Sequence, residues 1–259
     1  MKITLIGYGK MGHMIASIAK NKGHEIASTI DTFAPDAIVK IPANEPSALA
    51  EAVKNSGCDA AIDFSHPLTI ISNIKAVLPL GIPLIVGTTG WDAQKKEIAD
   101  FAASCNGTIM AASNFAIGVN LFYKIVQEAV KLMNEYSEYD VSTWEMHHNQ
   151  KADSPSGTAL EIAKRILAES SVKNEIVTES FHERPKVNQL HVSSTRGGFV
   201  PGTHTVFFDS SADTIELTHR TRNREGLALG AIVAAEKVFS GLESGKFKKG
   251  SFLSMEDLL

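Results

Sequence analysis

The feature that most constrains the fold stands at the N-terminus. An apolar run, Ile3-Thr4-Leu5-Ile6, passes through Gly7-Tyr8-Gly9-Lys10-Met11-Gly12 into a helical pattern. A strand, a G-x-G-x-x-G turn and a helix in that order make the first βα unit of a dinucleotide-binding parallel sheet. Each glycine has a task there. Gly7 permits the tight turn, Gly9 lets the backbone approach a pyrophosphate, and Gly12 lets the helix lie close on the strand. The helix start then offers free N–H groups and a partial positive charge to the phosphates. Asp31 closes the second apolar run, where a carboxylate accepts hydrogen bonds from the adenosine ribose hydroxyls.

The following segments keep the alternation of a parallel sheet wrapped by helices. Strands are predicted over 3–7, 25–30, 60–64, 83–86 and 108–111, with helices over 10–21, 46–56, 67–79 and 92–103. Four strand tips carry small or polar residues: Gly7-Tyr8-Gly9, Asp63-Phe64-Ser65, Gly87-Thr88-Thr89-Gly90 and Ser113-Asn114-Phe115. Outside the carboxyl ends of parallel strands, these tips are expected to line one site. After Phe115 the pattern changes to a long helix over 118–138, a strand over 140–147, a helix near Pro155, and strands over 191–195, 203–208 and 214–218. An Ala- and Leu-rich helix over 226–239 is expected to return to the first domain. The fold class that follows is α/β: an N-terminal Rossmann-type parallel-sheet domain, plus a second α+β domain with a mixed sheet. Residues 1–116 and 224–259 are expected to form the dinucleotide-binding domain, and 117–223 the substrate-binding and oligomerisation domain.

A formal net charge of −4 without a long basic run argues against a nucleic-acid partner. No apolar stretch reaches membrane-spanning length, and the first residues enter a strand without a cleavage pattern. Cys58 and Cys105, far apart in apolar surroundings, fit buried thiols in a reducing compartment. A cytoplasmic chain with neither nucleic-acid nor membrane partners is expected.

The densest chemistry lies in Glu145-Met146-His147-His148-Asn149-Gln150-Lys151-Ala152-Asp153-Ser154-Pro155-Ser156-Gly157-Thr158. Its end reads as a helix start, with Asp153 or Ser154 as N-cap and Pro155 in the first turn. Ser156, Gly157 and Thr158 then present unpaired N–H groups, a receptor for carboxylates. His147 and Lys151 are candidates for proton transfer. Neighbouring strand residues face opposite ways, so one histidine of the pair could equally be a plain core or surface residue. A zinc site is a third reading, but no H-E-x-x-H or paired Cys/His spacing supports it, and no metal is expected.

The segment H-H-x-x-K-x-D-x-P-S-G-T, joined to the glycine-rich turn, resembles the 4-hydroxy-tetrahydrodipicolinate reductase (dihydrodipicolinate reductase) family of diaminopimelate and lysine biosynthesis. The resemblance extends through Asp63-Phe64, Gly87 to Gly90, Ser113 to Phe115, Arg196-Gly197-Gly198 and Gly202-Thr203-His204-Thr205. It implies that His147 is the catalytic acid/base and that Lys151 donates a proton and holds substrate charge. It implies that His148, Gly157 and Thr158, with Ser156, bind the carboxylates of a small dicarboxylate substrate. It places Gly7, Tyr8, Gly9, Lys10, Met11, Gly12, Asp31, Gly87, Thr88, Thr89, Ala112, Ser113, Asn114 and Phe115 at the dinucleotide, and implies a homotetramer with hinges near Gly118 and Arg222.

Two positions depart from the family pattern. Tyr8 stands where a small residue is usual, and Asp31 is followed by Thr32 and Phe33 rather than by a basic residue. A carboxylate without a neighbouring Arg repels a 2′-phosphate, so NADH is favoured over NADPH. Lys10 offers either a charge to that phosphate or a solvated helix start. The basic run of His219, Arg220, Arg222 and Arg224 reads as an aid to dianion binding or as a solvated face. An amino-acid dehydrogenase of the aspartate or homoserine type shares the first domain but leaves the His147 to Thr158 segment unexplained. A dinucleotide-sensing binding protein needs no proton donor beside a carboxylate receptor.

Overall fold

The structure, a computed structural model, describes residues 1–259. The chain forms two compact units, Met1–Ile117 with Glu225–Leu259, and Gly118–Arg224. The first begins with β1 (Lys2–Ile6), α1 (Lys10–Asn21), β2 (Glu25–Asp31), β3 (Val39–Lys40), α2 (Pro46–Ser56) and β4 (Ala60–Asp63). It continues through α3 (Ile70–Val77), β5 (Leu84–Val86), α4 (Lys95–Cys105) and β6 (Ile109–Ala111). The second contains α5 (Ile117–Met133, entering from the first unit), β7 (Asp140–His147), α6 (Gly157–Glu169), β8 (Glu175–Val177), β9 (Gln189–Arg196), β10 (Thr203–Asp209) and β11 (Thr214–Arg220). The chain then returns as α7 (Glu225–Glu243), β12 (Phe252–Leu253) and α8 (Met255–Leu258).

The first sheet has the order β12-β6-β5-β4-β1-β2-β3, and every pairing in it is parallel. Its order reverses between β1 and β4, so a crevice opens beyond the carboxyl ends of those two strands. Both faces are covered, which explains the near-continuous apolar strands. Ile3 and Leu5 point into one layer with Ile15, Ile62, Ile232 and Val238. Ile6 points into the other with Val53, Ile74, Val77, Leu84 and Ile98. The Ala- and Gly-rich sequence of α7 allows a close approach: a Cβ on Gly230 would lie 1.8 Å from the Phe115 carbonyl oxygen.

The second sheet has the order β11-β10-β7-β9-β8. β10 is antiparallel to β7 and β11, whereas β9 is parallel to β7 and β8, so the sheet is mixed. Two predicted helices are shorter than their patterns. The helix predicted from 67 begins at Ile70, and a 3₁₀ turn over Leu78–Leu80 absorbs Pro79. The helix predicted to 138 stops at Met133 because Asn134 turns its side chain outward, donating to the Glu169 carbonyl and accepting from Ser171 N–H.

Candidate active site

In the first unit the glycine-rich turn is shaped by what it touches. Gly7 has φ +87°, and a Cβ there would lie 2.4 Å from the Phe64 carbonyl oxygen. A Cβ on Gly12 would lie 2.4 Å from the Gly7 oxygen, so the helix start is locked against the strand end. Gly9 is the opposite case. Nothing lies within 4 Å of its Cβ position, and the turn is open to a ligand there. A cleft of about 500 Å³ runs past Gly7, Gly9, Asp31, Phe33, Phe64 and His66. The open Gly9 face, the free helix start and a carboxylate at the cleft fit a dinucleotide.

Asp31 also has an internal task. Its Oδ2 accepts from Tyr8 N–H at 2.6 Å, and its Oδ1 from Phe33 N–H at 2.7 Å and Ala34 N–H at 2.8 Å. Partial burial pushes its pKa up, but the backbone donors outweigh that and hold it below the usual range. Tyr8, the departure from the pattern, stacks on His13 with ring centroids 4.0 Å apart. The His13 ring nitrogens contact the Gly9 carbonyl at 2.8 Å and Asp36 at 2.7 Å. Both contacts are to acceptors, and the His13 pKa is raised, first by Gly9 and then by Asp36.

The strand tips divide between structure and site. Asp63, fully buried, accepts from Ser65 N–H and Oγ at 2.9 and 2.6 Å, Asn73 at 2.9 Å and Thr88 Oγ1 at 3.1 Å. Burial pushes its pKa up despite these donors. The Thr88 hydroxyl is therefore turned inward, while Thr89 is exposed. A Cβ on Gly87 would run into the Phe64 ring. Phe115 buries its ring in the core near that of Phe64, whereas Ser113 and Lys10 are exposed and Met11, Ala112 and Asn114 are half-buried.

In the second unit, β7 alternates Glu145 and His147 onto one buried face. The sheet register sets Ser194 and Arg196 of β9 beside them and pairs His204 of β10 with Glu145. Glu145, wholly buried, is the hub. It accepts from Ser156 N–H at 2.9 Å, Ser194 Oγ at 3.0 Å, Arg196 at 2.7 Å and the Ser156 hydroxyl. His147 Nδ1 lies 3.2 Å and His204 Nε2 3.4 Å from its Oε2. Burial would raise its pKa, but His204, Ser156 and Arg196 hold it well below the carboxylate range. The His147 pKa is pushed down to about 4, first by desolvation and then by His204, Lys151 and Arg196 against the pull of Glu145. At neutral pH its ring is neutral. Glu145, His147 and His204 offer ligand atoms within 4.8 Å of one another. Arg196 and Ser156 bind both carboxylate oxygens, so the trio is part of a wider ion-pair network.

The helix start differs from its sequence expectation. Ser156, not Asp153 or Ser154, is the N-cap of α6, its Oγ accepting from Ala159 N–H at 3.1 Å, and Pro155 precedes the cap. The Asp153 carboxylate is instead shared between Lys151, at 2.7 and 2.9 Å, and Gly157 N–H, which leaves the amide of Ala159 to Ser156. The Ser156 hydroxyl donates inward to Glu145, and the Thr158 hydroxyl bonds to Tyr123, whose phenol is pushed up to about 12, chiefly by burial. Gly157 is exposed with open space at its Cβ position. His148 is half-buried, and its carbonyl accepts from Lys151 N–H at 3.2 Å. Arg196 also donates to the Asp153 carbonyl at 2.5 Å, tying β9 to the Lys151 loop. Arg220, Arg222 and Arg224 are exposed.

A seven-stranded parallel sheet with a glycine-rich turn, joined in one chain to a unit carrying a buried imidazole beside a helix start, defines a two-unit dinucleotide-dependent oxidoreductase. The family model described as dihydrodipicolinate reductase, N-terminus, matches residues 1–115, and that described as dihydrodipicolinate reductase, C-terminus, matches residues 118–259. The chain belongs to the 4-hydroxy-tetrahydrodipicolinate reductase family. The enzyme of that name from Christiangramia forsetii is 37% identical over 259 residues, covering 100% of this chain and 98% of its own. The Archaeoglobus fulgidus enzyme is 32% identical and covered 100% on both sides. In fold, the chain is similar to a dipicolinate-bound dihydrodipicolinate reductase from a Paenisporosarcina species, with TM-score 0.77, 22% identity and coverage of 100% and 99%. The amino-acid dehydrogenase and sensor readings are not favoured.

Proposed function

We propose that this chain reduces 4-hydroxy-tetrahydrodipicolinate to tetrahydrodipicolinate, with loss of water, using a reduced nicotinamide dinucleotide. The observation that carries the reading is the network around Glu145: it joins His147, Arg196 and the start of α6 within the segment that also supplies Lys151. Gly7, Gly9, Gly12 and Asp31 would hold the dinucleotide, which when bound supplies a hydride for ring carbon C4. The N–H groups at the start of α6, with Lys151 and His148, receive the substrate carboxylates. Loss of the 4-hydroxyl as water leaves a conjugated imine, and hydride arrival at C4 leaves an enamine that takes a proton at the neighbouring ring carbon. Lys151 carries that proton into the site, and the neutral His147 relays protons between it, the leaving water and the ring.

The first unit is the dinucleotide-binding domain in this reading and the second binds substrate. The ionised Asp31, followed by Thr32 and Phe33, favours NADH over NADPH. A cytoplasmic homotetramer is part of the same proposal, and sedimentation of the purified protein checks the assembly. The test of the reaction is a coupled assay. The cyclic imine is generated from pyruvate and aspartate semialdehyde by the upstream synthase, and reduced-dinucleotide absorbance is followed on adding this protein. Oxidation faster with NADH than with NADPH is expected. No oxidation with either sinks the reaction, and a higher kcat/KM with NADPH sinks the preference.

A further inference from the structure

We propose that Glu145 is the positioning residue of this site: one buried carboxylate that turns Nε2 of His147 toward the substrate and holds Arg196 and the start of α6 in place for the dianion. The inference rests on the reductase reading for what is bound, but its geometry stands on the free chain. Six donors or imidazole nitrogens from four separate segments converge on the two oxygens of Glu145. A buried ion pair is a poor device for stability, because desolvating the charges cancels much of their attraction. Placed where the imidazole, the guanidinium and the helix start meet, it serves to fix their relative positions.

The orientation of His147 follows from what lies on its two sides. Nδ1 lies 3.2 Å from Glu145 Oε2, an ion-pair contact off the line of a hydrogen bond, and no other group hydrogen-bonds that nitrogen. Nε2 faces Gly202, where a Cβ would come within 2.9 Å, so the missing side chain is what leaves room for the ring. A neutral imidazole beside a carboxylate carries its proton on the near nitrogen. His147 therefore keeps its proton on Nδ1 and presents a bare Nε2. The charged and titratable groups around the ring are Glu145 on β7, Arg196 on β9, His204 on β10 and Lys151 on the following loop. Only Glu145 among them is an anion. The tautomer has one electrostatic determinant.

The experiment begins with the free full-length wild-type protein, labelled with ¹⁵N in its imidazoles. The His147 resonances should report a proton on Nδ1 and a bare Nε2, and a proton on Nε2 overturns the proposal whatever the enzyme assay shows. Glu145→Gln then removes the charge at constant shape. We expect a mixture of His147 tautomers, kcat about 30-fold lower and substrate KM about tenfold higher, with NADH affinity by fluorescence unchanged. A folded E145Q protein with the wild-type tautomer and kinetic constants also overturns it. Should E145Q fail to fold, the wild-type spectrum decides alone. Failure of the wild-type coupled assay would remove the reaction and leave the spectral result standing.

Discussion

An imidazole wedged between a carboxylate and a glycine responds to a change on either side. Replacing His147 or Lys151 by Ala should lower kcat by about a hundredfold or more, the scale of a lost acid-base group. Binding of NADH, measured by fluorescence, should be unchanged, since both residues lie outside the glycine-rich turn. Gly202→Ala is a finer probe. Its methyl group would sit 2.9 Å from Nε2, so the ring must move, and kcat should fall about tenfold or more in a protein with wild-type circular dichroism. His147 and Lys151 were legible because they share one short segment with a helix start. Glu145 opens that segment, yet its hub role was not legible, since its partners Ser194, Arg196 and His204 lie about fifty residues away and meet it only through sheet register. Arg196 and His204 stood in motifs that resembled the family without revealing what they bind. The contacts of His13 with Tyr8 and Asp36 were equally silent, because they join a helix to a loop across a turn.

Among the glycines, Gly230 of α7 leaves the least room for a side chain. Gly230→Ala would drive a methyl group to 1.8 Å from the Phe115 carbonyl, which neither backbone can accommodate without shifting. A loss of roughly 1–3 kcal/mol is expected from urea unfolding, the size usual for overpacking a rigid interior. The elements read well from sequence where a pattern is long or its punctuation strong. α1 and α2 have the predicted bounds because a glycine turn or Pro46 opens them, and β7 because its alternation spans eight residues. β3 and β12, of two residues each, are too short to show a period and exist only because a neighbouring strand offers an unpaired edge. The cap of α6 is hidden from sequence for a different reason. Asp153, Ser154 and Ser156 all have capping side chains, and only the third dimension shows that Asp153 is shared between Lys151 and Gly157 N–H.

For the whole molecule, the buried imidazoles set how stability depends on pH. The His147 pKa lies near 4 in the folded chain against an ordinary 6.5, so between those values the unfolded chain binds the proton and the folded chain does not. Stability is therefore full above 6.5 and falls as pH drops toward 4, by about 3 kcal/mol from this residue. His219, whose pKa burial also lowers, acts with the same sign. Asp63 acts with the opposite one, because burial raises its pKa and protonation then favours the fold. Melting curves should show Tm falling from pH 7 to pH 5, and falling less in His147→Gln. An equal fall in both proteins would remove His147 as a cause.

The division of the chain also orders its biosynthesis. Residues 225–259 complete the first unit, supplying α7 to one face of its sheet and β12 to the free edge of β6, yet the ribosome makes them only after all of 118–224. A nascent chain thus carries an unfinished parallel sheet, with one apolar layer covered by α1 alone and one edge unpaired, while every residue of the inserted unit has already been made. Arrest-peptide or pulse-proteolysis measurements on stalled ribosomes should find the interior segment protected first, and the N-terminal strands protected only once the tail has emerged.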